Sequence, residues 1–233
     1  MLSYDSPVVV GAESSKAVAV AVAAAAAPPQ IRQQPSTRMA APAPEQARGH
    51  HHIFLVTGPA GCGKTTVAEH LAQAVDMPYI EGDSYHPKTN IDKMSNGVPL
   101  TDADRWDWLT LLREEAIHRL RDGAGGVVVT CSALKRKYRD VIRVAAYFDH
   151  SILVHFIYLD APEEVLLHRV TQRQNHYMGA NMVQSQFDIL ERPSADEKDV
   201  TGIDVSRSLD EVKVDALARV RDILAQDAAA ETA

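Results

Sequence analysis

Eight consecutive residues, Gly58-Pro59-Ala60-Gly61-Cys62-Gly63-Lys64-Thr65, restrict this chain more than any other stretch, because they follow the pattern G-x-x-x-x-G-K-[ST]. The apolar run Ile53-Phe54-Leu55-Val56 precedes them, and a helical pattern with Val67, Leu71, Ala74 and Val75 on one face follows. Strand, glycine loop and helix in that order are the context of a phosphate-binding loop. Glycines admit left-handed dihedrals, so successive N–H groups can turn inward around an anion. The helix start adds unpaired N–H groups and the positive end of its dipole. In that arrangement Lys64 reaches the β- and γ-phosphates of a nucleotide, and the Thr65 hydroxyl ligates Mg²⁺. A chance glycine turn is the competing reading, disfavoured by the matching flanks on both sides.

The 233 residues suffice for one domain and a tail, with 45% hydrophobic residues to fill one core. Residues 1–50 stand apart. An Ala/Val run from Ala17 to Ala27 is followed by Pro28-Pro29 and a Gln/Pro/Ala/Arg-rich stretch with Pro35, Pro42 and Pro44. That composition buries little surface, so a disordered arm is expected over 1–50, a folded domain over 51–227 and a frayed end over 228–233. The arm is expected to be dispensable for activity. Its apolar run is too short to cross a bilayer, and Asp5, Glu13 and Lys16 stand where a signal peptide has a basic region, so neither membrane segment nor signal peptide is expected. Arg32, Arg38 and Arg48 leave a weak case for organelle targeting. The net charge of −7 disfavours nucleic-acid binding, and an anionic substrate then needs a local basic cluster. Cys62 and Cys131 read as reduced thiols of a cytoplasmic protein, without the spacing of a metal site. His50-His51-His52 leads into the first strand, where alternate side chains face opposite ways and three in a row do not converge on one ion.

After the first helix a short strand over 77–80 ends in Glu81-Gly82-Asp83. At the end of a strand beside the phosphate-loop strand, a carboxylate shares the rim where ligands bind. Asp83 is therefore either a catalytic candidate or a turn aspartate capping its loop. A short helix is expected over 90–96. Thr101-Asp102-Ala103-Asp104 reads as a capping box for a long helix with Leu109, Leu112, Ala116 and Leu120 buried, ended by Asp122-Gly123. Arg105 lies in its first turn against the dipole preference, so it either serves a ligand or is a solvated surface residue. Val127-Val128-Val129 is a buried strand whose end, Thr130-Cys131-Ser132, carries no acidic residue. The carboxylate for Mg²⁺ must come from elsewhere, with Glu81 or Asp83 nearest.

Lys135-Arg136-Lys137-Tyr138-Arg139 opens a helix with Leu134, Tyr138, Val141, Ile142 and Ala145 on one face. It is the densest cationic cluster, and its place after a strand end favours anion binding over a solvated face. A strand over 152–159 contains His155, read as a core or sheet-edge residue. Asp160-Ala161-Pro162-Glu163 is expected to cap the next helix, where Arg169 and Arg173 share a face and either close over a nucleotide or pair with Glu163 or Glu164. Residues 174–179 suit a mobile flap, followed by a helix over about 181–191 and a strand over 200–205. Ser208-Leu209-Asp210-Glu211 is a second capping box, opening a helix with Val212, Ala216, Val220 and Ile223 buried.

Taken together, Gly82-Asp83-x-x-His86-Pro87, Asn90-Ile91-x-Lys93-Met94, Pro99-Leu100-x-Asp102-x-Asp104-Arg105, Cys131-Ser132-Ala133-Leu134-Lys135-x-x-Tyr138-Arg139 and Gln186-Phe187-x-x-Leu190-Glu191, with the phosphate loop, resemble the gluconate kinases of the P-loop type. The likeness runs from about Ile53 to the last helix and leaves out the arm. The His-Pro and Cys-Ser-Ala-Leu-Lys segments single out this family among small-molecule kinases.

The resemblance implies an α/β P-loop NTPase fold, a five-stranded parallel sheet flanked by helices as in shikimate and nucleoside monophosphate kinases, with a mobile lid. It implies transfer of phosphate from ATP, with Mg²⁺, to the 6-hydroxyl of D-gluconate, yielding 6-phospho-D-gluconate and ADP for the pentose phosphate pathway, by a homodimer. On this likeness Gly58, Pro59, Ala60, Gly61, Cys62, Gly63, Lys64, Thr65 and Thr66 hold ATP, Arg169 packs on adenine and Arg173 approaches the phosphates. Lys64, Asp83 and Arg173 are the catalytic set. Asp83, His86, Arg105, Lys135, Arg139 and Gln186 face gluconate, and Thr65 and Glu81 face the metal. Glu81 stands where the family often has Asp. Competing readings are a kinase for shikimate or a nucleoside monophosphate, or a nucleotide-binding module without catalysis; a GTPase lacks support, since no Asn-Lys-x-Asp signature is present.

Overall fold

The computed structural model describes residues 49–172 and 180–232. The arm over 1–48, Arg173 and the flap over 174–179 lie outside the described residues.

A parallel sheet has the order β2-β3-β1-β4-β5. Its strands are β1 (His51–Thr57), β2 (Tyr79–Ile80), β3 (Gly126–Thr130), β4 (Ile152–Asp160) and β5 (Val200–Asp204). The helices are α1 (Lys64–Ala74), α2 (Lys88–Ser95), α3 (Asp102–Arg121), α4 (Arg136–Phe148), α5 (Glu163–Thr171), α6 (Ala180–Asp188) and α7 (Leu209–Glu231), with a 3₁₀ turn at Gly82–Tyr85. Because β1 has neighbours on both edges and helices on both faces, it is buried almost throughout, with the apolar run Ile53–Val56 at its centre, as a central parallel strand requires. Phe54 and Val56 face a core shared with α1, α5 and α7, including Val67, Leu71, Leu166, Val212 and Val220. Ile53 and Leu55 face the opposite core with Trp108, Leu109 and Leu112 of α3 and Tyr138 and Ile142 of α4.

All strands run the same way, so their carboxyl ends share one rim. That rim carries the loops after β1, β2 and β3, where the sequence places its chemistry.

Both capping boxes form: Thr101 with Asp104 opens α3, and Ser208 with Glu211 opens α7. Other expectations change. β2 is an edge strand separated from β1 by β3, not its neighbour, so the loop after β2 meets the first turn of α1 past the end of β3, through Glu81 and Thr65. α5 is preceded by Pro162 without a side-chain cap; Asp160 instead accepts hydrogen bonds from Arg192 and Tyr158. α7 continues through its Ala-rich stretch to Glu231, where fraying is expected from composition, and Glu231 accepts a 2.6 Å hydrogen bond from the His50 backbone N–H. No helix among the described residues is long and apolar enough to cross a membrane.

Candidate active site

The phosphate loop owes its shape to three glycines with positive φ: 138° at Gly58, 84° at Gly61 and 95° at Gly63. A Cβ on Gly58 would lie 2.6 Å from the Leu159 carbonyl oxygen, and one on Gly61 would lie 2.8 Å from Val170. At Gly63 no neighbour interferes, and the left-handed backbone alone requires glycine. Gly63 is also the N-cap of α1, and no side chain caps the helix, which leaves the first-turn N–H groups to an anion. The Lys64 ammonium folds back onto the Gly58 and Pro59 carbonyl oxygens, at 3.0 and 3.1 Å. Thr66 follows in the first turn of α1.

Backbone N–H groups of the loop tie it to neighbouring elements. The Gly58 N–H donates to Ser132 O at 3.4 Å, and the Ala60 N–H donates to Gln186 Oε1 at 2.7 Å. Gln186, expected at gluconate, is thus a buried α6 residue holding the phosphate loop. Cys62 and Cys131 are free, buried thiols, as expected; burial raises both, Cys131 to about 12, so neither is a thiolate.

Glu81 is a hub of hydrogen bonds beside the phosphate loop. Its Oε2 accepts from Thr65 Oγ1 at 2.9 Å and Tyr79 Oη at 2.5 Å, and its Oε1 from Thr130 Oγ1 at 2.5 Å. Burial works to raise its pKa, but hydrogen bonds from Thr130, Tyr79 and Thr65 outweigh it and hold the carboxyl below its usual range. An ionised carboxylate beside the phosphate-loop hydroxyl is an oxygen-only donor set, which suits a hard divalent cation. Thr130, the last residue of β3, supplies only a hydroxyl, and the carboxylate missing there arrives from β2.

Asp83 lies in the 3₁₀ turn after Glu81, exposed at the rim. Its negative charge opposes the lowering of the pKa of His86, three residues on. His86 stacks on Trp108 with ring centroids 4.0 Å apart, and Trp108 Nε1 donates to Gly82 O at 2.8 Å. Burial lowers the His86 pKa to about 4, with Asp83 opposing and Arg105 assisting, which leaves a neutral ring at pH 7. Arg105 is 7% exposed and lies over the Tyr138 ring at 5.5 Å. It makes one long contact, 3.5 Å to Leu100 O, and its buried Nε has no partner among the described residues. A buried guanidinium left short of acceptors is suited to an anionic ligand.

The basic run opening α4 is not an open anion site. Lys135, Lys137 and the Tyr138 hydroxyl all donate to Asp102, Arg136 pairs with Asp196 at 2.8 Å, and Glu191 accepts the first N–H of α4 at 2.8 Å. Arg139, expected at gluconate, is 1% exposed and forms a two-pronged pair with Glu197 at 2.7 and 2.6 Å, with further bonds to the Ala133 and Glu191 carbonyls. Buried and held by four hydrogen bonds to Glu197, Ala133 and Glu191, the guanidinium has a structural task. Lys135 gives one of its three N–H donors to Asp102 at 3.0 Å. Arg169 neither pairs with Glu163 nor Glu164 in these bonds; it donates to the Arg207 carbonyl at 3.3 Å, beside the loop that opens α7.

A cavity of about 660 Å³ lies along the β4 and β5 edge, lined by Tyr158, Asp160, Pro162, Arg192 and Ile203 among others. It contains none of Lys64, Glu81, Asp83 or Arg105, so volume does not mark the chemistry here.

Residues 53–193 match the family model described as AAA domain. The chain is 48% identical over 169 residues to the probable gluconokinase of Schizosaccharomyces pombe, spanning 72% of this chain and 87% of that protein. It is 40% identical over 156 residues to the thermosensitive gluconokinase of Escherichia coli, spanning 67% and 80%. Among solved structures it resembles a gluconokinase from Sinorhizobium meliloti at 40% identity, with a TM-score of 0.62 over 76% of this chain and 95% of that one. An APS kinase from Mycobacterium tuberculosis, at 20% identity and a TM-score of 0.54 over 76% and 98%, shares the fold.

Proposed function

The chain belongs to the gluconokinase family of P-loop kinases, and from that premise we propose that it transfers the γ-phosphate of ATP to the 6-hydroxyl of D-gluconate, forming 6-phospho-D-gluconate and ADP. The observation that carries this reading is the gathering at one rim of the phosphate loop, the ionised Glu81 and the exposed Asp83, beside a buried Arg105 short of acceptors.

Phosphoryl transfer asks for positioning and charge stabilisation more than covalent help. The N–H groups from Gly58 to Thr66 hold the phosphates, and Lys64 turns from its loop carbonyls to the β- and γ-oxygens. Thr65 and Glu81 would hold Mg²⁺, which would supply charge neutralisation at the phosphates. Asp83 accepts a hydrogen bond from the 6-hydroxyl and aims it at the γ-phosphorus. Arg105 binds the carboxylate of the open-chain acid, and neutral His86 exchanges a hydrogen bond with a sugar hydroxyl. Gln186 positions the loop through Ala60. Arg169 against adenine and Arg173 toward the phosphates complete the site from the lid. The reading further includes a homodimer in the cytoplasm, supplying the pentose phosphate pathway and binding no nucleic acid.

A panel of gluconate, shikimate and nucleoside monophosphates with labelled ATP tests the assignment. Transfer to gluconate in preference to the others supports it, and preference for a nucleotide acceptor overturns it.

A further inference from the structure

The opposite rim of the sheet carries a second group of potential ligands. We propose that His50, Asp227 and Glu231 bind a divalent transition-metal ion of the zinc class, joining the start of β1 to the end of α7. His50 Nδ1 lies 2.8 Å from Asp227 Oδ1 and 3.3 Å from Glu231 Oε1, and the three ligand atoms fall within 4.8 Å of one another. A tetrahedral zinc site with bonds of about 2.1 Å has ligand-to-ligand edges of about 3.4 Å, so ångström-scale side-chain movements suffice. Asp227 and Glu231 are four apart on α7 and share a face, while His50 comes from a different element, which gives convergence rather than a linear run.

The surroundings orient these ligands. His52 Nε2 lies 3.3 Å from the second oxygen of Asp227, and His52 Nδ1 lies 3.1 Å from His155 Nε2. If the first nitrogen donates to Asp227, the second accepts from His155, and this chain fixes the carboxylate while leaving its other oxygen to His50. The His50 backbone N–H donates to Glu231 Oε1 at 2.6 Å. Side-chain exposures of 38% for His50, 15% for Asp227 and 36% for Glu231 leave a path for the ion and for completing waters. One imidazole with two carboxylates favours zinc over magnesium or calcium, which prefer oxygen alone. His51 takes no part, since its Nδ1 faces the Ala124 carbonyl at 3.1 Å. The site is independent of the kinase reading, as it shares no residue with the phosphate rim.

Calorimetric titration of Zn²⁺ into the full-length protein, with Mg²⁺ saturating, tests this, alongside thermal melting. Expected are saturable binding at one site and a Tm raised by a few degrees at Zn²⁺ well above its Kd. His50→Ala and Glu231→Gln, both partly exposed positions, should each weaken that binding at least tenfold and abolish the rise in Tm, with gluconate-dependent turnover unchanged. No saturable binding by the wild type, or wild-type affinity in both variants, would overturn the site.

Discussion

Thr65 Oγ1 donates to Glu81 Oε2 across 2.9 Å, and this bond joins the first turn of α1 to the loop after β2. The other Glu81 oxygen accepts from Thr130 at the end of β3. One carboxylate therefore joins the ends of β2 and β3 to the start of α1, supplying from the loop after β2 the charge that β3 does not carry.

Replacing Glu81 by Gln keeps the shape but removes the charge. Expected is a kcat lowered about a hundredfold with an increased Mg²⁺ requirement, the scale of losing one aimed electrostatic partner. Steady-state kinetics across a Mg²⁺ series checks this, with Tm measured in parallel because Glu81 also anchors Tyr79 and Thr130.

Asp83→Asn keeps one acceptor oxygen but removes the negative charge and basicity offered to the reacting alcohol, while leaving the phosphate loop untouched. The kcat should fall by about 10²–10⁴, the range for one positioned acid–base group, with the ATP KM changed far less. Lys64→Ala, tested alongside, should abolish turnover.

Gly82→Ala would bring a Cβ within 1.9 Å of the Thr130 carbonyl oxygen. The backbone must move there, taking Glu81, Asp83 and the Trp108 contact with it. Both Tm and kcat should drop, measured by thermal melting and turnover on one preparation.

Arg139→Met leaves the Glu197 carboxylate buried without its two-pronged partner. Loss of one half of a buried pair costs about 3–5 kcal/mol, and the lower end applies because Arg143 still contacts Glu197 at 2.7 Å. Denaturant unfolding should show that loss, while the gluconate KM of the remaining folded enzyme stays at the wild-type value.

Acid should destabilise the protein in two stages. His86 and His155 are each lowered by burial from the ordinary 6.5 to about 4, so between those values the unfolded chain binds more protons and stability falls as pH falls. Glu197 is held at about 2 by Arg139, against burial and with help from Arg143, compared with an ordinary 4.5. Its contribution is present above about pH 4.5 and is lost as pH drops toward 2. Unfolding measured from pH 7 to 3 checks both windows: His155→Gln should flatten the upper one and Glu197→Gln the lower.

Local features were legible in the sequence because they depend on neighbouring residues. The phosphate loop, both capping boxes and the missing acid after Val129 are of this kind. Arg139 was misleading for the opposite reason. A run of basic residues at 135–139 shows charge, but the acids that neutralise it, Asp102, Asp196 and Glu197, arrive from other elements. Asp160 looked like a helix cap until the fold brought Arg192 to it. Gln186 carries no local signal beyond the family likeness, because its bond to Ala60 depends on how α6 docks. The position of β2 at the sheet edge likewise follows from strand order, which no local pattern encodes.

The most direct measurement is ADP release by the purified full-length protein with ATP and Mg²⁺, with and without D-gluconate, for wild type and Asp83→Asn. Expected is turnover that depends on gluconate in the wild type and falls at least a hundredfold in the variant. ADP release indifferent to gluconate, or a variant as fast as the wild type, would contradict the assignment of an alcohol aimed by Asp83 at a phosphate held in the Gly58–Thr65 loop.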